Sequence, residues 1–374
     1  MLDAPAAGLD AARRLRQRGL TVSHFVGHLA PGDAVSFDAL NKWRGLRELG
    51  VAGDLYCGDP GEHYRAVARP LRDHRPTPNE LLVFHYAVWS ETAEYLLNET
   101  EAPVVLVYHN ITPPTWFAGV NPRAERDTRL GRERLGAFAS RSPLATAMSE
   151  YSRRELEQAG YRATEVVPVM VELDRIARHA ARARRRESAA DGYVNVLSVG
   201  RIIPNKCFQD TIALFYHYKR HVNPRARLHL VGLPVIGEYN LWLMWLIQRL
   251  GLDPHVQLRG HVPDEELARL YAEADAYVTM SEHEGFCVPV VEAMAAGVPV
   301  LAFAAAAVPD TLGDAGVLMT RKDPAVGGEL LRQIVEDTPL RRRLIAKGHE
   351  RVREFAPERT RDRFAAAIAR AAGV

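Results

Sequence analysis

A chain of 374 residues exceeds one ordinary domain, and 47% hydrophobic with 25% charged residues is enough to build two full cores. A formal net charge of +2 excludes a protein-wide basic field for nucleic acid. Three scattered cysteines, Cys57, Cys207 and Cys287, show no C-x-x-C pairing and exclude a disulfide framework or a zinc cage.

The amino-terminal Met-Leu-Asp-Ala-Pro lacks a basic region followed by an apolar one, so no secretory signal is expected. No apolar run approaches the ~20 residues that cross a bilayer. The longest, Leu241 to Ile247, reads as a buried or interfacial helix turn. Cytoplasmic residence follows as the expectation, with the inner face of a membrane as a compatible station.

Along the chain, short β-rich runs alternate with helical patterns, which predicts parallel sheets with crossover helices. The first half offers strands at 21–27, 53–57, 81–85, 104–108 and 144–148, with helices at 37–49 and 123–140 among them. The alternation restarts with strands at 194–199, 227–231, 256–259, 276–280 and 298–303. The fold class expected is therefore α/β, with two doubly wound units. Residues 1–172 form the first domain and 193–354 the second. Between them, 173–192 is an Arg-dense linker, carrying Arg175, Arg178, Arg182, Arg184, Arg185 and Arg186. Such a charge run reads first as a solvated helix and second as a docking face for an anionic membrane or acceptor. Residues 355–374 close the chain with a helix, apolar at Phe364, Ile368 and Ala372.

In an open α/β sheet, ligands bind beyond the carboxyl ends of the strands. Three segments sit there. Gly200-Arg201-x4-Lys206 follows one strand and opens a helix. A cation at a helix start opposes the macrodipole, and an anion bound between Arg201, Lys206 and the free N–H groups would resolve that conflict. A solvated Lys206 is the bland alternative. Glu284 and Glu292 flank a Gly285-Phe286-Cys287-Val288 loop, with Pro289 read as the first helical residue. Side chains on a helix lean toward its N-terminus, so Glu292 can reach back over the loop of Glu284. Carboxylates accept pairs of sugar hydroxyls, and loop N–H groups suit phosphate. Taken singly, Glu292 is an ordinary first-turn acid and Glu284 an ordinary loop acid. The third segment is Val104 to Pro114, whose strand end delivers His109 and Asn110. A structural histidine is the alternative there, and Trp116 with Phe117 forms either an acceptor wall or core.

These segments resemble those of the retaining family 4 glycosyltransferases of the GT-B fold. Gly32 to Leu40, His109 to Pro114, Ser149 to Glu155 and Ser281 to Cys287 are similar to a bacterial subgroup acting on polysaccharides and natural products. The resemblance implies two Rossmann-like domains facing across a cleft, with the C-terminal helix crossing back to the first. It implies a nucleoside diphosphate-sugar donor (UDP or GDP) in the second domain, and a glycan, lipid-linked or natural-product hydroxyl acceptor in the first. Carried over, Arg201 and Lys206 bind the diphosphate and Glu284 the donor sugar. Gly200 and the backbone of Gly285, Phe286, Cys287 and Val288 line sugar and phosphate, Glu292 meets the ribose, and His261 and Val262 lie by the base. His109 sits near the donor sugar, Gly32 and Asp33 near the phosphates, and His85, Asn110 and Trp116 on the acceptor side. No cofactor and no metal is expected, since two cations replace the metal. Gly32 lacks the family's usual glycine neighbour, and Cys287 stands where the family commonly has glycine. A nucleotide-sugar 2-epimerase and a non-catalytic nucleotide-sugar or glycan binder are the competing readings. A dinucleotide-dependent dehydrogenase is disfavoured, because no G-x-G-x-x-G follows a strand.

Overall fold

The computed structural model describes residues 4–171, 173–174, 176–179 and 192–374. The chain divides into two compact units. The first comprises 1–115, 123–171 and 355–374, and the second 116–122 and 172–354. Residues 116–122 thus group with the second unit, unlike the unbroken first domain expected from sequence. Of the Arg-dense linker, Arg175, Arg182, Arg184, Arg185 and Arg186 lie outside the described residues.

The first unit holds a seven-stranded sheet in the order β3-β2-β1-β4-β5-β6-β7, every pair parallel. Its central strands are β1 (Thr21–Val26), β4 (Glu80–Tyr86) and β5 (Val104–Tyr108). Their runs are apolar on both sides because both faces are covered. Val22, Val83, Val105 and Val107 pack on one face with Leu46, Phe364 and Ile368. Phe25, Phe84, Tyr86, Leu106 and Phe138 pack on the other. The C-terminal helix Pro357–Ala371 covers the first face together with helix Ala4–Gln17. Strands β2 (Leu55–Cys57), β3 (Arg69–Pro70), β6 (Ala145–Ala147) and β7 (Thr164–Val166) complete the sheet.

The second unit repeats the plan with six parallel strands in the order β10-β9-β8-β11-β12-β13. Its centre is β8 (Val194–Val199) and β11 (Ala276–Thr279). They are flanked by β9 (Ala226–Val231), β10 (Val256–Gly260), β12 (Val300–Phe303) and β13 (Val317–Met319). Both orders reverse direction once, between β1 and β4 and between β8 and β11, and such switch points are where doubly wound sheets bind ligands.

Helix Gly237–Arg249 contains the long apolar run. Leu243 and Ile247 are buried, whereas Leu241, Trp242, Met244 and Trp245 stay exposed, so this helix is half-buried. Among the described residues no helix is long and apolar enough to cross a membrane.

Candidate active site

At the switch point of the second unit, two loops meet. Strand β8 runs into Gly200–Lys206, and β11 into Met280–Cys287. Gly232, at the end of β9, has φ +156°, and a Cβ there would lie 1.7 Å from the carbonyl oxygen of Gly200. Only glycine permits that approach. Asn205 ties the loops together. Its side-chain amide donates to the His283 carbonyl at 3.0 Å, while its own carbonyl accepts from the Glu282 N–H at 2.9 Å and the Ser281 hydroxyl at 3.1 Å.

This staple aligns Lys206 with Glu284. The ammonium donates to both carboxylate oxygens, at 2.6 and 2.7 Å, with both side chains largely buried. The anion beside Lys206 is thus the Glu284 carboxylate. The lysine also lies off the helix, in the 3-10 turn Pro204–Lys206, and helix Phe208–His221 begins after Cys207. Arg201 is exposed beside this pair in sequence.

Helix Val288–Ala295 starts one residue before Pro289, with Cys287 as its N-cap. Cys287 has φ 72° and ψ 65°, and Cys207 has φ 51° and ψ 45° at the head of the other helix. Both lie in the left-handed region, where a side chain costs about 1 kcal/mol relative to glycine. That is the physical reason glycine would suit position 287. Both thiols are buried, and burial pushes both pKa values up, Cys287 furthest, so neither is a reactive thiolate. Gly285 and Phe286 complete the loop, with the Phe286 carbonyl held by the Thr311 hydroxyl. Glu292 lies one turn into this helix, where its carboxylate accepts from the Tyr271 hydroxyl at 2.8 Å. After β10, His261 is exposed and Val262 buried.

The first unit carries a different set at its switch point. His24 of β1, His85 of β4 and His109 after β5 form a buried row, Nδ1 of His24 lying 3.0 Å from Nε2 of His85. Nδ1 of His85 lies 3.0 Å from Nε2 of His109. Burial, the largest cause, holds all three imidazoles below their ordinary pKa, His24 at about 3 and His109 at about 4. The Lys42 ammonium adds to the effect on each. Lys42 is itself buried and ion-paired with Asp38, whose second oxygen accepts from the Met170 N–H at 2.9 Å.

Several expected contacts are redirected. His85, expected on the acceptor side, is 1% exposed and in contact with a neighbouring imidazole at each ring nitrogen. Asp33 caps helix Ala34–Glu48, accepting from the Ser36 N–H at 2.9 Å. Gly32 stands just before it at φ 73°. Asn110 adopts φ 59° and donates to Glu155 at 2.7 Å; Glu155 also binds Arg132 and the Tyr108 hydroxyl. Trp116 is half-buried and belongs with the second unit. His24, Asp38, Lys42, Asn205 and Tyr271 are parts that sequence reasoning missed. Polar residues inside apolar runs were the available signal for His24, and a Lys four residues after an Asp for the ion pair.

Residues 180–351, inside the second unit, match the family model described as Glycosyl transferases group 1. The D-inositol 3-phosphate glycosyltransferase of Geodermatophilus obscurus is 29% identical over 401 residues, covering 99% of this chain and 87% of that protein. The O-antigen chain mannosyltransferase B of Escherichia coli is 29% identical over 223 residues, 58% of this chain and 57% of that protein. Among solved structures, Anabaena HepE in complex with UDP-glucose superposes with a TM-score of 0.72 at 19% identity, covering 93% of this chain and 99% of that one. WaaG, a glycosyltransferase involved in lipopolysaccharide biosynthesis, gives 0.66 at 15%, covering 92% and 98%. At such identities the structural likeness speaks for the fold, two Rossmann-like domains.

Proposed function

We propose that this chain, a glycosyltransferase of the GT-B fold, is a retaining family 4 enzyme that moves a hexose-type sugar from a nucleoside diphosphate-sugar (UDP or GDP) to a hydroxyl of a glycan, lipid-linked or natural-product acceptor. The observation that carries this reading is the Lys206–Glu284 pair, stapled across the two loops of the second switch point. A diphosphate arriving there exchanges partners with the carboxylate. Lys206 and Arg201 take phosphate oxygens, and Glu284, released, accepts hydroxyls of the sugar.

As the bond from the anomeric carbon to the phosphate oxygen breaks, negative charge grows on the leaving phosphate. Lys206, Arg201 and the positive end of the macrodipole of helix Val288–Ala295 hold it. The acceptor hydroxyl attacks from the face on which the diphosphate leaves, and its proton passes to the departing phosphate oxygen. One carbon–oxygen bond forms and one breaks, with retention. Glu292 is engaged by the Tyr271 hydroxyl, and Glu284, once released by Lys206, by the hydroxyls of the sugar, which favours this course over a covalent enzyme intermediate. Glu292 serves the ribose and His261 the base. In the first unit His109 offers a ring nitrogen to a sugar hydroxyl. Two side-chain cations do the work of a divalent ion, so transfer proceeds in EDTA.

Thermal shift and donor hydrolysis across UDP-, GDP-, ADP- and dTDP-sugars test the reading. One nucleotide's sugars should stabilise the protein and be slowly hydrolysed. Stabilisation by none of them removes it, and 2-epimerisation of the donor without acceptor replaces it with the epimerase reading.

A further inference from the structure

Helix Gly237–Arg249 is apolar on both sides, and one of them is covered. Tyr239, Leu243 and Ile247 are buried within the second unit. The opposite side leaves Leu241, Trp242, Met244 and Trp245 between 44% and 65% exposed. Leu233 and Val235 stand exposed in the loop that leads into it. Six of the ten large hydrophobics exposed among the described residues thus fall between 233 and 245. Single exposed hydrophobics are ordinary, whereas a contiguous patch marks a contact surface.

The helix is firmly seated. The Tyr239 hydroxyl accepts from the Phe208 N–H at 3.1 Å and donates to Gln209 at 2.6 Å, and the Leu233 carbonyl accepts from the Ile202 N–H at 2.9 Å. The surface is therefore preformed, and it borders the loop that carries Arg201.

We infer that this face is a homodimer seam, on which the same helix of a second copy packs antiparallel across a two-fold axis. The spacing of the outward residues points to that partner. Glu238, Trp242, Trp245 and Arg249 follow at intervals of four, three and four, so they form one stripe along the exposed side. Two tryptophans hold its centre, and one charge of each sign holds each end.

A two-fold axis between Trp242 and Trp245 maps the stripe onto itself. In the antiparallel arrangement Trp242 meets the partner's Trp245, and Glu238 meets the partner's Arg249. The parallel arrangement sets each charge against its own copy, and like charges repel. The charges thus select antiparallel pairing, which is closed and self-complementary. Tryptophan and arginine are also the residue types that dominate binding energy in such seams. The Arg249 guanidinium already lies over the Trp245 ring, 5.9 Å from its centroid.

A lipid surface suits this face less well. Helices that lie in a membrane interface oppose their apolar face with a polar one rich in Lys and Arg. Here the opposite side is apolar and already packed, and the charges of the stripe cancel, so anionic lipid gains no net attraction. The seam goes beyond sugar transfer and does not depend on it.

Sedimentation equilibrium of the full chain tests the inference, with circular dichroism confirming that each variant is folded. Wild type should sediment at twice the chain mass. Trp245→Glu should weaken association by more than about 100-fold. Glu238→Arg and Arg249→Glu should each weaken it about tenfold, and the double variant, with the two charges exchanged, should recover to within about threefold of wild type. A chain still monomeric at about 100 μM overturns the inference. So does a dimer that ignores all three substitutions, or a double variant no better than its parts. A monomer that binds phosphatidylglycerol vesicles through Trp245 also overturns it, and assigns the face to lipid.

Discussion

The two units share a plan and diverge in the chemistry placed at its centre. In the second, the switch point between β8 and β11 carries full charges, Lys206 against Glu284, at the edge of solvent. In the first, the equivalent place between β1 and β4 carries three uncharged imidazoles, sealed from solvent, with the charges of Asp38 and Lys42 behind them. A charged pair on two loops can exchange partners with a diphosphate at little reorganisation. A buried neutral row resists taking up charge, because each proton added there would have to leave water. The difference teaches that one topology separates two tasks by burial.

Acidification should expose that contrast most strongly. The buried histidines have folded pKa values below the unfolded value near 6.5, so the unfolded chain binds protons that the folded one refuses. Stability contributed this way is present above pH 6.5 and lost as pH falls toward about 4 and 3. Each group contributes a slope of about 1.4 kcal/mol per pH unit in that window. Peptide-resolved hydrogen exchange should show the first unit opening before the second between pH 6 and 4; parallel opening of both breaks the comparison.

Lys42→Met comes next, because it leaves the Asp38 carboxylate buried and unpaired, at a cost of about 3–5 kcal/mol by denaturant unfolding. The double variant Lys42→Met with Asp38→Leu should recover most of it, and failure to recover would mean the pair does more than neutralise itself. Lys206→Ala should lower turnover at saturating donor by about 10²–10³-fold. Near-normal turnover would remove the cationic mechanism. The smallest effect is expected at Cys287→Gly. Relief of the left-handed backbone is offset by the greater freedom of glycine when unfolded, so stability should move by less than about 1 kcal/mol. Cys287→Val, branched at Cβ in the same conformation, should destabilise by about 2 kcal/mol in the same assay.

Much of this architecture is legible in the sequence, and the omissions have causes. The strands of four or more residues announce themselves by apolar runs, and 104–108 and 194–199 match β5 and β8 residue for residue. Strand β3 is only Arg69–Pro70, and β7, Thr164–Val166, is half-buried, so neither offers such a run. Helix Ala4–Gln17 buries mainly Ala11, Ala12 and Leu15, and alanines give a weak periodic signal. At the site, Lys206 and Glu284 each stand out by position after a strand. Their direct bond spans 78 residues and depends on β8 lying beside β11, which no local pattern encodes. His24 was hidden for the same reason, since its burial acquires meaning only once β1, β4 and β5 are known to be neighbours. At Asp33 a helix cap and a phosphate loop use the same residue types at the same spot, so the sequence alone does not separate them.

The two ends of the chain both belong to the first unit, where helix Ala4–Gln17 packs against helix Pro357–Ala371. That closure has a consequence for truncation. A chain cut back to residue 354 keeps every strand of both sheets but loses the helix that covers one face of the first. The imidazole of His24 then lacks its Phe364 cover, and the Lys42 ammonium lacks the ring packed against it. Residues 355–374 thus serve the first sheet as a lid against water, although the whole second unit separates them from it in the chain.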